Sequence, residues 1–384
     1  MSSSTRVHDE DTAHAMRRTV HPPRAGEVRI DFWDAASASD RRAWIQCWEG
    51  WPGREVMAHP SFVRLFARPG DRVICASGRT SIGGILYPLI LRPLDVEPWA
   101  GIEARRCDLT TAYGYSGPFA WNVPDRQAPS FWKSFDAWAL AQGAVTAFAR
   151  LSLFPEQLIS FDGELIDRGP NVVRSLEHED DELWSSYDGK VRKNVKRARR
   201  EGVTVWFDAA GERLDAFLEI YEATMTRREA LSQYYFPRSL FESIIRDLPG
   251  QFVFAHAVVG EKIVSSELVL LSAQNSYFLL GGTLADAFAL RPSDLLQHEV
   301  FRHCRDRGLK RCILGGAYKP DDGILRFKRA FAPGGDRPFR VGVKTYDLDA
   351  SSRLVESRRA WERGQGREWN PVGGFFPSYR SGLA

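Results

Sequence analysis

The amino-acid sequence predicts an α/β protein of two tandem units that share one plan, each with a mixed central sheet, and a cleft between the units. The length of 384 residues suits two domains better than one. Strands and helices alternate in the last third, and the preceding part of the chain repeats their order. The elements of the last third are a strand at 276–283, a helix from Ser293 to Gly308, a strand at 311–316 and a short helix that carries Phe327 and Lys328.

The first unit is predicted as a strand, two helices, two strands, a loop, a helix and a final strand. Apolar residues alternate or run together in the strands, and aromatic residues recur at helical spacing in the helices. The segments, in order, are "VRIDFWD" (28–34), "DRRAWIQCWEGW" (40–51), "HPSFVRLFARPG" (59–70), "DRVICASG" (71–78), "IGGILYPLILRPL" (82–94), the loop "DLTTAYGYSGP" (108–118), "PSFWKSFDAWALAQGA" (129–144) and "VTAFARLSLF" (145–154).

The second unit repeats this plan after the strand "GVTVWFD" (202–208). Its first long helix, at 212–231, presents one apolar face, formed by Leu214, Phe217, Leu218, Tyr221 and Met225. A second helix at 236–249 and a three-strand meander at 251–283 follow. Ser293 is the predicted N-cap of the next helix, and Gly308 is predicted to end it. The strand at 339–348 completes the unit.

Four segments follow from this order. Residues 1–27 are rich in Ser, His, Arg and Pro without an apolar stretch, which predicts a disordered tail and no signal peptide. The first unit is placed at 28–172 and the second, catalytic unit at 173–350, with the boundary near Gly169–Ser175. Residues 351–384 are predicted as a polar, loosely attached extension.

Composition favours a globular enzyme of the cytoplasm. Hydrophobic residues make up 43% of the chain and charged residues 26%, which are ordinary values for globular domains. No apolar run approaches the roughly 20 residues of a membrane-spanning helix, so no span is predicted. The five cysteines are odd in number and widely spaced, which predicts reduced thiols. No metal site is predicted, because the histidines of "HEVFRH" (298–303) are five residues apart and face different sides of a helix.

The strand, helix, strand order of the last third is that of the second half of an N-acyltransferase (GNAT-like) fold. Together with "GG" at 315–316 and "FK" at 327–328, it resembles the Fem family of aminoacyl-tRNA-dependent aminoacyltransferases, most closely over 187–335. The resemblance implies two tandem GNAT-like domains. It also implies transfer of an amino acid from charged tRNA, as co-substrate, to an amine of a natural-product or peptidoglycan precursor. Neither a metal nor another cofactor is implied.

The same resemblance assigns roles to the "FK" pair. Aminolysis of an ester passes through an intermediate with negative charge on oxygen, and a positioned ammonium group stabilises that charge. The family likeness gives this catalytic role to Lys328, and has Phe327 help to seat the acceptor arm of the tRNA. The alternative is a surface lysine beside a core phenylalanine.

A strongly basic segment precedes the second unit. Seven Lys or Arg residues fall within 190–200, and like charges one helical turn apart cost a few tenths of a kcal/mol per pair. A polyanion such as tRNA offsets this cost by phosphate contacts, and a similar basic helix opens the second domain in the Fem family. A solvated helix without a partner is the alternative. The predicted tRNA-binding residues are Lys190, Arg192, Lys193, Lys196, Arg197 and Arg200.

Acceptor binding is predicted from both units. Arg228 and Tyr277 align with family positions that line the acceptor site, although Arg227 competes with Arg228 for the alignment. In the first unit, the loop 108–118 offers Tyr113 and Tyr115 as pocket residues, with Asp108 placed to deprotonate an amine. A rigid turn with buried rings is the equal alternative for this loop.

The segment 284–296 differs from that of acetyl-CoA-dependent enzymes of this fold. It contains no glycine, and its Pro292 removes one backbone donor, whereas a pyrophosphate normally requires free N–H groups and close backbone approach. Coenzyme A is therefore disfavoured as donor. Two alternatives stay open: an acyl-CoA-dependent N-acyltransferase that binds without this loop, and a non-catalytic RNA-binding protein.

Overall fold

The computed structural model describes residues 29–80, 82–317 and 323–382. The predicted tail at 1–27 lies outside these residues. Within them, thirteen strands form one continuous mixed sheet, and ten α-helices cover it. This architecture confirms the predicted α/β class, although the two predicted sheets are joined into one continuous sheet.

The elements of the first half follow the sequence pattern closely. Aromatic and β-branched residues fill the strands, and the helices carry buried tryptophan and phenylalanine on one side. The bounds are β1 Arg29–Asp34, α1 Ala38–Glu49, α2 Pro60–Arg64, β2 Arg72–Arg79, β3 Gly84–Pro93, β4 Cys107–Thr110, β5 Phe119–Trp121, α3 Ala128–Ala141, β6 Ala144–Arg150 and β7 Glu164–Ser175.

The second half repeats this arrangement and adds helices at both ends. Its bounds are α4 Asp180–Ser185, α5 Gly189–Arg200, β8 Thr204–Asp208, α6 Leu214–Arg227, α7 Arg238–Asp247, β9 Phe252–Val259, β10 Lys262–Leu271, β11 Asn275–Thr283, α8 Pro292–Asp306, β12 Arg311–Gly315, α9 Gly323–Phe331, β13 Asp336–Thr345 and α10 Leu348–Gly364.

The order of strands shows that the two halves exchange their last strands. The sheet runs β1-β2-β3-β4-β6-β13-β7-β12-β11-β10-β9-β8, with β5 on β3. Thus β13, late in the chain, pairs with β6 of the first half, and β7 pairs with β12 of the second. The boundary predicted at 172 falls inside β7. Ladder hydrogen bonds therefore join the halves.

An apolar core is also shared between the halves on one face of the sheet. Tryptophan and methionine side chains from the first half meet aromatic side chains of α6, α7 and β11 in one buried cluster. Its members include Trp48, Trp51, Met57, Phe217, Tyr221, Phe241 and Tyr277. A second cluster lies where α5, α8 and α9 cover the second half of the sheet.

The C-terminal segment is tightly packed, and the prediction of a loose extension is wrong. One face of α10 is buried through Ala350, Leu354 and Arg358. The Arg358 guanidinium stacks 4.4 Å from the Trp369 ring and donates to the Tyr379 carbonyl at 2.8 Å. This face carries charged residues at helical spacing, so the sequence pattern looked polar although the face is buried.

The N-cap of helix α8 lies two residues earlier than expected. Its predicted N-cap, Ser293, lies inside the helix, and the cap position is held by Arg291 in a left-handed conformation with φ of 59°. Pro292 occupies the first helical position, where the missing N–H carries no cost. Gly308, with φ of 79°, follows the helix end as predicted. Among the described helices, none has the length and apolar character needed to cross a bilayer.

We expect Leu354→Ala to test the docking of α10. Leu354 is 0% exposed, and truncating a buried leucine typically lowers the free energy of unfolding by about 2–5 kcal/mol. The matched control is Leu348→Ala on the same helix, because Leu348 is 74% exposed and its truncation should change stability by less than about 0.5 kcal/mol. Chemical denaturation measures both. Equal effects would contradict a docked helix.

Candidate functional site

The candidate site lies where two parallel strands separate. Strands β11 and β12 pair only over Asn275–Tyr277 and Arg311–Ile313, and beyond this point the β12 side of β11 has no strand partner among the described residues. Unpaired backbone N–H and C=O groups along such an edge are available to a ligand. The equivalent parallel pair in the first half is β4 with β6.

Lys328 projects from α9 into this opening. Its ammonium group donates to the Gly316 carbonyl at 2.6 Å and lies 5.9 Å from the centre of the Phe278 ring. Gly315 adopts φ of 79°, and a Cβ there would lie 3.5 Å from Nζ of Lys328 and 3.6 Å from the Tyr115 hydroxyl. The "GG" turn thus brings the lysine and the tyrosine together. Sequence analysis identified Lys328, and the structure places it at the strand opening.

The tyrosines of both halves meet beside Lys328. The Tyr115 hydroxyl donates to Oδ1 of Asn171 at 3.0 Å, and its ring lies 5.6 Å from the ring of Tyr277. Tyr277 is buried and donates to Oε2 of Glu55 at 2.8 Å. Burial raises the pKa of both tyrosines, so both hydroxyls keep their protons at neutral pH. Tyr115 therefore belongs to the site, while Tyr277 supports it from behind.

Glu55 is a buried carboxylate that joins the first half to β11. Asn275 and Gln157 donate to Oε1 at 2.5 Å and 2.8 Å, and Tyr277 occupies Oε2. Burial raises the pKa of Glu55, whereas these hydrogen bonds lower it. The sequence offered no signal for this network, because its members are far apart along the chain.

Glu267 on β10 is a second buried carboxylate, and sequence analysis missed it. No described residue donates a hydrogen bond to its Oε2. Burial raises the pKa of Glu267 to about 8, although the nearby Lys328 ammonium counteracts the rise. A carboxyl group with a pKa near the working pH, beside a lysine, is suited to proton transfer. Its one signal in the sequence was an acidic residue inside the apolar strand "SSELVLLS".

Phe327 packs into the protein. It is half-buried, with its ring 5.1 Å from the Phe331 ring at the edge of the cluster under α9. Only part of its surface is left for a ligand, and its packing fixes the orientation of α9.

Asp108 lies in an ion-pair network at the start of β4. It is fully buried, Arg92 donates to Oδ1 at 2.5 Å, and Arg380 donates to Oδ2. Since both oxygens bind guanidinium groups, neither is left to contact an acceptor amine. The structure therefore gives Asp108 a structural role, and it attaches the C-terminal segment to the first half.

Tyr113 lies where the two halves approach each other. Its ring packs 5.8 Å from Phe66 and 6.1 Å from Phe236, and the Arg150 guanidinium lies 5.9 Å from its centre. Burial raises the pKa of Tyr113. Tyr113 and Tyr115 therefore contact different neighbours. In space, the loop that carries them extends from Arg150, beside Tyr113, to the Gly315 turn and Lys328, beside Tyr115.

Arg228 is exposed at the C-terminal end of α6. Its neighbour Arg227 instead stacks 4.9 Å from the Phe288 ring in the segment after β11. Helix α6 passes close to β11 at Gly282. A Cβ at this position would lie only 2.2 Å from Oγ1 of Thr224, so a larger residue would not fit. Both arginines are exposed, and Arg227 differs from Arg228 by its contact with Phe288.

The basic segment forms the amphipathic helix α5. Val191, Val195 and Ala198 are buried against the core, and most of the basic residues lie on the outer face. Lys190, Lys193, Lys196 and Arg200 are exposed.

Two of the predicted tRNA-binding residues have partners within the protein. Arg192 donates to the carbonyls of Ser185, at 2.7 Å, and Tyr187. Arg197 lies 3.7 Å from Glu201. The exposed face of α5 is thus formed mainly by the lysines and Arg200.

Helix α5 is joined directly to the helix that carries Lys328. The Asp188 amide donates to the Ala330 carbonyl at 3.0 Å, and buried Arg174 donates to the Phe331 carbonyl at 3.1 Å. The N-terminal end of α5 therefore lies one turn from Lys328 on α9. The basic helix and the helix at the strand opening are therefore in direct contact.

A carboxylate occupies the N-terminal end of α8. Asp294 is buried in the first turn and accepts a hydrogen bond from Nδ2 of Asn194 on α5 at 3.1 Å. Burial raises the pKa of Asp294, and the Asn194 hydrogen bond lowers it. The N-terminus of a helix is partially positive and attracts anions. In α8 this position is taken by the Asp294 side chain of the protein itself.

Comparison with known families identifies a domain in the second half. Residues 185–329 match the family described as the acetyltransferase (GNAT) domain. The matched region runs from the start of the basic helix to α9 and includes Lys328. This part of the chain is therefore similar to a GNAT-type acetyltransferase domain. A comparison with curated proteins gives no match.

Solved structures share the fold over most of the chain. FemX aligns with a TM-score of 0.61 and 13% identity, over 83% of this chain and 98% of its own. The C-terminal domain of a putative lysylphosphatidylglycerol synthetase from Agrobacterium fabrum gives 0.51 and 15%, over 83% and 96%. A conserved protein of unknown function from Bacteroides thetaiotaomicron gives 0.52 and 10%, over 82% and 100%. At such identities the likeness shows the fold alone.

We expect Glu267 to make the folded state less stable as pH rises. Its folded pKa of about 8 lies above the ordinary 4.5, so between these values the native state keeps a proton that the unfolded state has lost. The free energy of unfolding should therefore fall through this window, by up to about 1.4 kcal/mol per pH unit. Denaturation of wild type and Glu267→Gln across pH 5–9 isolates this contribution, because the other titrating groups are common to both proteins.

Lys328, Cys304 and Cys312 are the titratable groups that interact with Glu267. Burial raises the pKa of both thiols, so they stay neutral in most of this range. Parallel pH profiles for wild type and variant would contradict the raised pKa.

Proposed function

We propose that the protein transfers an aminoacyl group from aminoacyl-tRNA to the amine of a small-molecule or peptide acceptor, such as a natural-product or peptidoglycan precursor, and forms an amide bond. The observation that carries the proposal is the direct attachment of the basic helix α5 to α9, through Asp188 and Ala330. This attachment puts a surface suited to a polyanion beside Lys328, at the opening of the GNAT-type sheet.

The charge around the site supports charged tRNA as the donor. The exposed lysines of α5 and Arg200 suit the closely spaced phosphates of an RNA acceptor stem. At the N-terminal end of α8, the buried Asp294 disfavours the binding of another anionic group, such as the pyrophosphate of coenzyme A, by charge repulsion. Both features favour charged tRNA over an acyl-CoA donor.

The chemistry is an ester aminolysis. The acceptor amine attacks the ester carbonyl of the aminoacyl-tRNA, a C–N bond forms, and the C–O bond to the terminal ribose breaks. The amine loses a proton and the ribose oxygen gains one. Lys328 stabilises the negative charge that develops on oxygen.

Glu267 is the proposed proton carrier in this reaction. Its carboxylate form, which becomes populated as the pH approaches about 8, accepts the proton of the amine. The proton then passes to the leaving ribose oxygen. Because the transfer is direct, the reaction needs no covalent intermediate on the protein.

Aromatic residues and Arg228 line the acceptor side in this proposal. Tyr115 contacts the Gly315 turn beside Lys328, and Tyr113 faces the second half. Arg228 is exposed at the end of α6 and is available for an anionic part of the acceptor or tRNA. Phe327, half-buried on α9, presents its remaining surface to the tRNA end.

Lys328→Ala should lower the rate constant of transfer while leaving substrate binding nearly unchanged. Loss of one group that stabilises developing charge costs roughly 100- to 1,000-fold, or about 3–4 kcal/mol. Purified protein, tRNA charged with radiolabelled amino acids and candidate amines give the rate from label transfer. Lys310→Ala, at an exposed lysine of the same half, is the matched control.

Normal turnover by Lys328→Ala would reduce this lysine to a structural residue. Product formation that survives RNase treatment would contradict the tRNA donor. Saturable binding of acetyl-CoA, together with acetylation of the amine, would replace the proposal by the acyl-CoA alternative.

Replacement of Lys193, Lys196 and Arg200 by Gln should weaken tRNA binding and its dependence on salt. Each phosphate contact contributes about 0.9 to the log–log slope of affinity against salt for duplex nucleic acid, so the slope should flatten by up to about three. Transfer at saturating tRNA should persist, because these groups position the donor. Fluorescence anisotropy with labelled tRNA at several salt concentrations measures the slope.

The control for this triple variant removes three exposed positive charges from the first half, at Arg42, Arg105 and Lys133. It has the same net charge but leaves α5 intact, so its salt slope should equal that of wild type. Equal flattening in both variants would show that only net charge matters. An unchanged slope in the α5 variant would place the tRNA elsewhere.

A further inference from the structure

Arg150, at the end of β6, is an arginine with no ion-pair partner among the described residues. Its guanidinium lies 5.1 Å from the centre of the Phe148 ring and 5.9 Å from that of Tyr113. Its side chain forms no hydrogen bond or ion pair with any of the described residues. The residue is neither fully buried nor exposed, and burial lowers the pKa of its guanidinium.

The neighbours of Arg150 add to the positive charge. Arg92 lies close enough to lower the pKa of Arg150 by repulsion, and the hydroxyls of Tyr113 and Tyr234 are the polar groups nearby. Arg92 is already paired with Asp108, which also binds Arg380. Asp108 is therefore shared by two other guanidinium groups, and no carboxylate of the described residues pairs with Arg150.

Two buried arginines, Arg174 and Arg358, show the contacts that a structural arginine makes in this protein. Arg174 donates to the carbonyls of Phe331 and Leu183 and to the Ser186 hydroxyl. Arg358 donates to the Tyr379 carbonyl and to Glu362. Arg150 departs from this pattern, because its five N–H donors point to no acceptor in the described part of the chain.

Such an arrangement costs stability. A cation that loses hydration without gaining a partner is unfavourable, and a second cation beside it adds to the cost. Aromatic faces offset only about 0.5–2 kcal/mol of this cost. An anion that enters from solvent satisfies the donors and balances the charge, and an arginine fork binds carboxylate or phosphate with two hydrogen bonds.

We propose that Arg150, with Arg92 and the hydroxyls of Tyr113 and Tyr234, forms a subsite for an anionic group, a carboxylate or a phosphate, on the acceptor molecule. The assignment to the acceptor rests on the proposed function, whereas anion binding does not. The loop that carries Tyr113 also carries Tyr115, which lies beside the Gly315 turn and Lys328. An anion on Arg150 therefore anchors one end of a molecule whose amine reaches the strand opening.

The binding test uses the intact protein and three simple anions. Isothermal titration at constant ionic strength with acetate, inorganic phosphate and pyrophosphate compares wild type with Arg150→Gln. Arg105→Gln is the charge-matched control, since Arg105 is exposed on the same half. We expect saturable binding of at least one anion, weakened tenfold or more in Arg150→Gln and unchanged in the control. The preferred anion distinguishes a carboxylate from a phosphate ligand.

Thermal melts add a second measurement. In buffer without acetate, phosphate or pyrophosphate, Arg150→Met should leave the melting temperature unchanged or raise it, because the substitution removes a partly buried charge that has no partner among the described residues. The stabilisation of wild type by the bound anion should be absent from this variant. A strongly lowered melting temperature for Arg150→Met, or no saturable anion binding by wild type, would overturn the subsite.

A transfer assay separates this inference from the proposed function. Arg150→Gln should raise the KM for the acceptor tenfold or more, while kcat at saturating acceptor and tRNA affinity stay near wild type. If the protein binds anions through Arg150 but transfers nothing from tRNA, the anion subsite stands and the tRNA donor is rejected. Transfer with an unchanged acceptor KM would retain the donor and reject the subsite as part of the acceptor site.

Discussion

The exchange of β7 and β13 between the halves is the constraint on which the rest of the structure depends. Because β13 pairs with β6 on one side and with β7 on the other, the halves share backbone hydrogen bonds and cannot rotate as separate domains. Asn171 on β7 is thereby held against the Tyr115 hydroxyl, at the turn that faces Lys328. A site with groups from both halves requires such a rigid frame, because positioned groups contribute only when their geometry is fixed.

Three buried carboxylates show how neighbours decide the role of one chemical group. Glu55 accepts hydrogen bonds from three side chains and joins the first half to β11. Asp108 is paired with two guanidinium groups and secures the C-terminal segment. Glu267 has an oxygen with no donor among the described residues, and burial raises its pKa to about 8. The pKa of Glu267 therefore lies where a carboxyl group can exchange a proton near neutral pH.

The arginines and lysines also differ in role according to their neighbours. Arg174, Arg358 and Arg380 are held by carbonyls or carboxylates inside the protein and maintain the fold. The lysines of α5, on its outer face, and Arg150, where Tyr113 approaches the second half, form no side-chain hydrogen bond with the described residues. The α5 face suits a large polyanion because its charges are many and exposed. The Arg150 position suits one compact anion because it is enclosed by aromatic rings.

The sequence by itself determined the α/β class, the repeated plan, most of the helices, the basic helix and the place of Lys328 on α9, because these depend on local periodicity and charge. It missed β7, where Pro170 lies opposite Pro338 of β13, since neither proline can donate to a ladder and the pattern resembles a linker. It also missed α10, Glu267 and Arg150. Only the tertiary structure decided which charged groups are paired, because their partners lie far away in sequence and burial depends on the assembled sheet.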